Sequence, residues 1–412
     1  MKPRRDMMHW EVFAHMDLAP AAREYSGSLS GTRVGVQSLF CVQGWPCEGG
    51  SRALRGFVPL EDAAVVQQVK RGGGVLVGNT HSSELGLGVS RDTAARAVRE
   101  GHVDAGFMVD TLGEARIAAA EAGLFGFKPS WGRVSRFGLV GLAPSMECCA
   151  VLAGRWKDIP AIFHAIACAD DRDPSMVHPI SSEGGVRTGS KRKDAVAGFF
   201  PQSLEPLSPE ERSAFSRAMS QLEQSGVTLR QVQMQDLDLF PLAHQVIASV
   251  EASSSCGKYD GVRFGHRAAG AKNWNEMYLE TRRESFGLLL KALLFQGAYF
   301  QFENYAAFEN ACRIRARLVS QCRKLFEDLD MLLFPTQHHA QDAFQAQSLQ
   351  ELYRAFAHTL LANVTGQPAL SLPGFFRCGE KDMGLQIVGA YLEDERLLSW
   401  VDQWMGNREG LA

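Results

Sequence analysis

Residues 123–145, GLFGFKPSWGRVSRFGLVGLAPS, form the stretch whose turn signals and short apolar pieces decide the expected fold. The residue before Pro129 is biased towards extended backbone, because the proline ring disfavours the helical region there. Gly132, Gly138 and Gly141 follow and separate apolar pieces that are too short for helices. Glycine between short apolar runs is typical of turns and strands. The stretch therefore predicts a compact series of turns and short strands, and not a helix.

The surrounding pattern predicts an α/β domain. Val34 and Val36 alternate with glycine as in a strand, a helix pattern runs from a cap at Asp62 to Lys70, and residues 75–77 form a buried strand. Strand, helix, glycine and strand in succession is typical of a sheet flanked by helices. Further helices are predicted at 92–100, 156–168, 209–226, within 275–326, at 349–363 and 393–404, and further strands at 195–200, 227–234, 329–334, 369–372 and 384–388.

One helix start has a specific signal. Ser208-Pro209-Glu210-Glu211 is a capping box with proline at the first helical position. Residues 170–190, rich in Asp, Ser, Gly and Pro, predict a long loop. We interpret the chain as one domain at 29–405, with an N-terminal arm at 1–28 and a tail at 406–412.

The composition is that of an ordinary globular protein. Of the 412 residues, 45% are hydrophobic and 22% are charged, and the formal net charge is −3. A chain without excess positive charge is not expected to bind nucleic acid through a broad basic surface. The nine cysteines are odd in number and contain no Cys-x-x-Cys, which indicates free buried thiols in a reducing compartment. Since no signal peptide or membrane-spanning run is apparent, we expect a cytoplasmic protein.

Several segments in order carry a resemblance to a known family. They are residues 110–116 (DTLGEAR), 128–139 (KPSWGRVSRFGL), 251–254 (EASS), 259–265 (YDGVRFG) and 384–389 (GLQIVG). Together they resemble the amidase signature family, and within it the group formed by the A subunits of the glutamyl-tRNA(Gln)/aspartyl-tRNA(Asn) amidotransferases. The resemblance runs from about residue 29 to 404 and implies a mixed sheet core covered by helices.

The family hydrolyses amides with a serine nucleophile, a second serine as proton relay and a lysine base. A serine hydroxyl needs such a base at neutral pH, and backbone N–H groups of a glycine-rich turn stabilise the oxyanion. In this sequence the lysine position is Gln37 and the nucleophile position is Glu114, in the turn Thr111-Leu112-Gly113. Glutamine offers no titration, and the Leu112 side chain is expected to crowd the oxyanion pocket.

At the other positions that the resemblance implies for the site, some residues match the family and others do not. Ser90 is a candidate for the relay position, although a loop serine beside a helix is the simpler interpretation. Arg315 matches an arginine that holds the amino-acid substrate in the family, and the alternative is a solvated helix arginine. The substrate-binding aspartate falls near Phe356, which argues against binding of glutamine or another small amide. We expect Glu114 to form a hydrogen bond or a salt bridge, for example with Arg116.

Replacement chemistries have weaker support. The pair Cys148-Cys149 lacks a histidine partner in the sequence, so buried structural thiols are expected. Residues 338 and 339 are both histidine, but the sequence has no second pair of ligands at a spacing that would complete a metal site with them. Loop histidines on the surface are the simpler interpretation. Asp110 and Glu114 could act as a pair of catalytic carboxyl groups, as in glycosidases, only if the fold holds the two groups at the required separation, which the sequence does not give. No metal or cofactor is expected.

Two hypotheses therefore remain. The first is a non-catalytic or altered relative of the amidotransferase A subunits, and the second is a working amidotransferase subunit or amidase with a rewired site. Both allow docking to the family's B and C subunits, with tRNA contacted only through those partners. The resemblance alone does not decide between them, because a fold does not carry an activity.

Overall fold

The computed structural model describes residues 11–17, 26–91, 93–177, 195–338 and 342–409. The strands are β1 (Phe13–Met16), β2 (Arg33–Gln37), β3 (Val75–Thr80), β4 (Ala105–Asp110), β5 (Phe125–Lys128), β6 (Cys148–Ala153), β7 (Val196–Phe199), β8 (Thr228–Gln231), β9 (Met331–Pro335), β10 (Ala369–Leu372), β11 (Arg377–Cys378), β12 (Lys381–Asp382) and β13 (Leu385–Gly389). The α-helices are α1 (Ala64–Arg71), α2 (Ala94–Arg99), α3 (Glu114–Ala122), α4 (Asp158–Ile166), α5 (Pro209–Gln224), α6 (Leu239–Ser255), α7 (Trp274–Ser285), α8 (Leu288–Phe302), α9 (Tyr305–Asp328), α10 (Leu349–Ala355), α11 (Leu360–Thr365) and α12 (Asp394–Glu409).

Eleven of the strands form one sheet in the order β1-β3-β2-β4-β6-β5-β10-β13-β9-β7-β8. The sheet is mixed: β2 is parallel to β3 and β4, whereas β6 is antiparallel to both β4 and β5. Every residue of β4, β5, β6, β9, β10 and β13 is buried. Strands covered on both faces read as near-continuous apolar runs, and these do apart from Asp110, Lys128, Ser371 and Gln386. The predicted mixed sheet covered by helices is confirmed.

The stretch at 123–145 has the predicted form. It contains β5 followed by turns, and Leu139 makes an isolated antiparallel bridge with Phe40. In the segment just upstream, β4 ends at Asp110 and α3 begins at Glu114. Only three residues connect them, and the connection is possible because Gly113 adopts a φ of 129°. This turn carries the candidate site.

Two local predictions need correction. Asp62 does not cap α1, since its carboxylate accepts from the backbone N–H of Gln43 and pairs with Lys70. Residues 349–363 are not one helix but two, α10 and α11, with the buried Phe356 after the first. The predicted capping box of α5 is confirmed, with both reciprocal hydrogen bonds between Ser208 and Glu211.

The chain ends extend the predicted core. Within the predicted arm at 1–28, β1 forms the edge of the sheet and pairs with β3. At the other end of the chain, α12 continues to Glu409 within the predicted tail. The basic start of the chain and most of the predicted loop at 170–190 lie outside the described residues, as does Asp92 at the predicted start of α2. None of the helices in the described ranges has the length and apolar character needed to cross a membrane.

Candidate functional site

The carboxylate of Glu114 fills the turn between β4 and α3. Its Oε2 accepts hydrogen bonds from the backbone N–H groups of Thr111 (2.7 Å), Leu112 (2.7 Å) and Gly113 (3.1 Å). Successive N–H groups that converge on one point form an anion-binding nest, and the positive end of a helix adds to the attraction. The turn that the family resemblance assigns to oxyanion binding is therefore occupied by a side chain of the same protein.

This carboxyl group is held in an unfavourable place for a charge. Burial raises the pKa of Glu114 to about 8, the charge of Asp110 adds to the rise, and the backbone N–H donors oppose it. Its second oxygen, Oε1, is buried and has no hydrogen-bond partner among the described residues. At neutral pH the group is therefore mainly a neutral acid whose Oε2 accepts the three N–H bonds.

The turn is locked by close packing on its other side. A Cβ at Gly113 would lie 2.2 Å from Oγ1 of Thr359, so no other residue fits there without a shift. The Thr359 hydroxyl donates to the carbonyl of Leu112 at 2.5 Å. Leu112 is itself buried among the apolar core, so its side chain lies in the core. Glycine at 113 and threonine at 359 together set the position of the three donors.

A buried histidine–tyrosine pair supports the same turn. Nε2 of His244 lies 2.9 Å from the carbonyl oxygen of Thr111 and must donate, since a carbonyl only accepts. Nδ1 then accepts from the Tyr353 hydroxyl at 2.9 Å. Burial lowers the pKa of His244 to about 4, so the ring is neutral near pH 7. Burial, with the charge of Glu114 adding to it, raises the pKa of Tyr353.

Arg116 does not pair with Glu114, which corrects one part of the sequence-based expectation. It forms a fully buried bidentate salt bridge with Asp110, at 3.1 and 2.8 Å. Gln386 and Asn363 accept further hydrogen bonds from the guanidinium, each at 2.5 Å. Burial opposes ionisation of Asp110, but the Arg116 charge outweighs it and lowers the pKa of that carboxyl. Asp110 is thus a structural anion and not a catalytic partner of Glu114.

The structure does not join the other two positions of the implied triad to Glu114. Gln37, at the end of β2, is buried and accepts the backbone N–H of Val109 at 3.0 Å, which ties β2 to β4. Ser90 lines a cavity beside Ala118 and Glu121 on the flank of α3. Among the described residues, the hydrogen bonds to the Glu114 carboxyl all come from backbone N–H groups of the turn.

Arg315 is not a solvated helix arginine, because it is half-buried and hydrogen-bonded. Its guanidinium donates to the hydroxyl and carbonyl of Ser145, both at 2.7 Å, and to the carbonyl of Val364 at 2.9 Å. Burial lowers its pKa. It also lines a cavity of about 470 Å³ with Trp131 and Tyr391, and the residues of that cavity do not include Glu114. Phe356, at the implied aspartate position, is fully buried.

The replacement chemistries are not supported by the geometry. Cys148 and Cys149 lie on the central strand β6, where burial raises the pKa of both thiols. All nine cysteines are free, and most are buried as expected, but Cys312 is exposed. His338 is buried against His358 and is not a surface histidine, whereas residue 339 lies outside the described ranges. Within those ranges no group of three metal-ligating side chains is close enough to hold a metal.

Sequence reasoning missed the residues that surround the turn. The residues that reach it come from parts of the chain more than 100 residues away, and they are His244, Tyr353, Thr359, Asn363 and Gln386. No local pattern marks them, because the partners of each residue lie far away along the chain. The one general rule that applies to them is that a polar side chain, once buried, needs a hydrogen-bond partner.

Comparison with known proteins covers most of the chain. The Amidase family profile matches residues 11–98 and 94–398. The A subunit of the glutamyl-tRNA(Gln) amidotransferase of Halorhodospira halophila is 31% identical over 411 residues, covering 91% of this chain and 83% of the relative. The protein of that name from Synechococcus sp. strain CC9605 is 30% identical and covers 95% and 85%.

Solved structures share the fold. The glutamyl-tRNA(Gln) amidotransferase A subunit from Thermotoga maritima has a TM-score of 0.75 at 22% identity and covers 94% of this chain and 85% of its own. A 6-aminohexanoate cyclic dimer hydrolase has a TM-score of 0.77 at 20% identity, covering 98% and 91%. Likeness at this identity speaks for the fold alone, whereas the sequence matches decide the family. The chain belongs to the Amidase family.

Proposed function

We propose that this protein keeps the fold of the amidotransferase A subunits but does not hydrolyse amides by the serine mechanism of the family. The observation that carries the proposal is the position of Glu114, whose Oε2 accepts all three N–H groups of the turn. A substrate oxyanion needs those same donors. The side chain therefore acts as a built-in occupant of the oxyanion site, and a substrate binds there only after displacing it.

The charge state of the site supports the same proposal. A carboxyl group with a pKa of about 8 is mostly protonated at neutral pH, and a protonated acid is not a nucleophile. Gln37 replaces the implied lysine and cannot accept a proton at physiological pH. The neighbouring carboxylate, Asp110, is held by Arg116. The group that replaces the serine thus lacks the base that would activate it.

The second candidate function, a rewired hydrolase, has one observation in its favour. A carboxyl group that titrates near neutral pH is suited to general acid–base catalysis, and such shifted pKa values are enriched in active sites. On this alternative Glu114 would leave the turn and exchange a proton with a bound amide. Its burial and its three hydrogen bonds argue against that movement.

The two candidates are separated by ammonia release from glutamine, asparagine and simple amides. The wild type is compared with Glu114→Ala, with the double variant Gln37→Lys/Glu114→Ser and with Glu205→Ala as a surface control. We expect no ammonia above the enzyme-free blank from the wild type or the control. Hydrolysis by the wild type that is lost in Glu114→Ala and kept in Glu205→Ala would establish the rewired hydrolase and refute the proposal.

We further propose that the protein docks to the B and C subunits of an amidotransferase in the cytoplasm and meets tRNA only through them. The relatives are named as A subunits, which supports a multi-subunit setting. A third solved relative, with a TM-score of 0.73, comes from a vestigial protein complex that reveals the evolutionary origins of an s-triazine catabolic enzyme. Co-expression with the B and C subunits, followed by size-exclusion chromatography, tests this docking, and separate elution of the three chains would refute it.

A further inference from the structure

Two cysteines of the loop that follows β2 have their sulfur atoms in contact. The Sγ atoms of Cys41 and Cys47 lie 4.0 Å apart, which is about twice the length of a disulfide bond. Both thiols are free. All nine cysteines of the chain lie in the described ranges, and among them only this pair has its two sulfur atoms in hydrogen-bond contact. Two thiols can therefore join here with less movement than elsewhere in the described chain.

The loop between the two cysteines turns back on itself. The backbone N–H of Trp45 donates to the carbonyl of Val42 at 3.0 Å. Gly44, inside this turn, has a φ of 80°, in the left-handed region that favours glycine. A Cβ built on Gly44 would meet nothing within 4 Å. Because the turn faces open space, a small movement of the loop can bring the two sulfur atoms from contact to bonding distance.

The two thiols differ in their access to solvent. Cys41 is partly exposed, whereas Cys47 is buried. The Cys47 thiol donates to the carbonyl of Ser38 at 3.4 Å, and its backbone N–H donates to the carbonyl of Phe57 at 2.9 Å. A small oxidant that arrives from solvent therefore meets Cys41 first, and Cys47 lies behind it in the place of a second, resolving thiol.

The acidity of the two thiols assigns them the same order. A hydrogen bond from Cys47 lowers the pKa of Cys41, and the charge of Lys258 adds to the fall, whereas burial and nearby acidic side chains oppose it. To donate this bond, the S–H of Cys47 turns from the carbonyl of Ser38 to the Cys41 thiolate. The same bond, together with burial, raises the pKa of Cys47. Since the thiolate is the nucleophilic form of cysteine, Cys41 is the thiol that reacts first.

We propose that Cys41 and Cys47 form a site of reversible oxidation by peroxides. The Cys41 thiolate attacks one oxygen of hydrogen peroxide, the O–O bond breaks, and Cys41 becomes a sulfenic acid while hydroxide leaves and takes up a proton. The Cys47 sulfur then attacks the sulfenic sulfur, the S–O bond breaks, and the leaving hydroxide takes the Cys47 proton. One peroxide thus accepts the two electrons of the two thiols, and the products are one disulfide and two water molecules.

The test treats the native full-length protein with a small molar excess of hydrogen peroxide, followed by alkylation, denaturation and mass spectrometry. Trypsin cleaves after Arg33 and Arg52, so both cysteines lie in one peptide, residues 34–52. We expect this peptide to lose two hydrogen atoms and to escape alkylation. The number of free thiols should fall by two from the nine of the untreated chain, and dithiothreitol should restore them.

Substitutions test the order of the two steps. Cys47→Ser should stop at a sulfenic acid on Cys41, which dimedone labels, whereas Cys41→Ser should slow the loss of thiols at least about 10-fold. Cys312→Ser, which removes the exposed cysteine, is the control and should form the disulfide like the wild type. Circular dichroism verifies that each variant is folded. A wild-type peptide 34–52 that stays alkylated at both cysteines under peroxide would overturn the proposal, as would a disulfide from either one to a third cysteine such as the buried Cys256.

Discussion

Replacing Glu114 by glutamine should remove a distinctive pH dependence from the stability of this protein. Glutamine has the shape of the protonated acid and can accept the same three N–H bonds, but it does not titrate. In the wild type the folded protein holds one extra proton between the ordinary glutamate pKa of 4.5 and the folded value of about 8. The free energy of unfolding therefore falls as pH rises through this window, because the unfolded state releases that proton first.

The magnitude follows from the size of the shift. Each pKa unit corresponds to about 1.4 kcal/mol, so a rise from 4.5 to about 8 amounts to roughly 4 to 5 kcal/mol. Relative to Glu114→Gln, the wild type should lose that amount between pH 5 and pH 9. Other groups titrate equally in both proteins, so they cancel in the difference.

Urea unfolding at one-unit intervals from pH 5 to pH 9 measures this difference. Glu205→Gln, at an exposed glutamate, is the control and should follow the wild type at every pH. Parallel curves for wild type and Glu114→Gln would refute the reasoning. A wild type that gains stability with pH relative to Glu114→Gln would show that the three N–H donors and the helix end outweigh burial, so that Glu114 is a bound carboxylate.

Two further predictions concern the packing around the site. Gly113→Ala should lower the free energy of unfolding by about 3 kcal/mol or more, since the new Cβ meets Thr359. Gly123→Ala, at a glycine with a positive φ but open space around it, should lower it by only about 1 to 2 kcal/mol. Equal losses for the two variants in chemical unfolding would contradict the clash. Burial lowers the pKa of His358 to about 4 from an ordinary 6.5, with His338 adding to the fall, so the neutral ring contributes stability above pH 6.5 that is lost as pH falls towards 4. His358→Gln should therefore remove roughly 3 kcal/mol of this acid destabilisation, and an unchanged slope between pH 6.5 and 4 would count against it.

The sequence by itself determined the fold and the chemical identity of the substituted positions. Strand and helix periodicity depends on neighbouring residues, so the capping box at Ser208 and the turns after Pro129 could be predicted locally. The replacement of the family's lysine by Gln37 and of its serine by Glu114 could also be recognised, since the identity of a residue is read directly from the sequence. The identities of Gln37 and Glu114 were enough to propose that the family's mechanism is lost. They did not show what role Glu114 has instead.

Only the tertiary structure decided that role. The carboxyl of Glu114 had several possible partners along the chain, including Arg116, and the contact with the backbone of Thr111 to Gly113 exists because β4 and α3 hold that turn in one conformation. Arg116 is taken by Asp110, Asn363 and Gln386, and the last two reach it only when distant strands and helices pack together. Burial is likewise a property of the whole fold, and it is burial that raises the pKa of Glu114 and leaves the site with a neutral acid near pH 7.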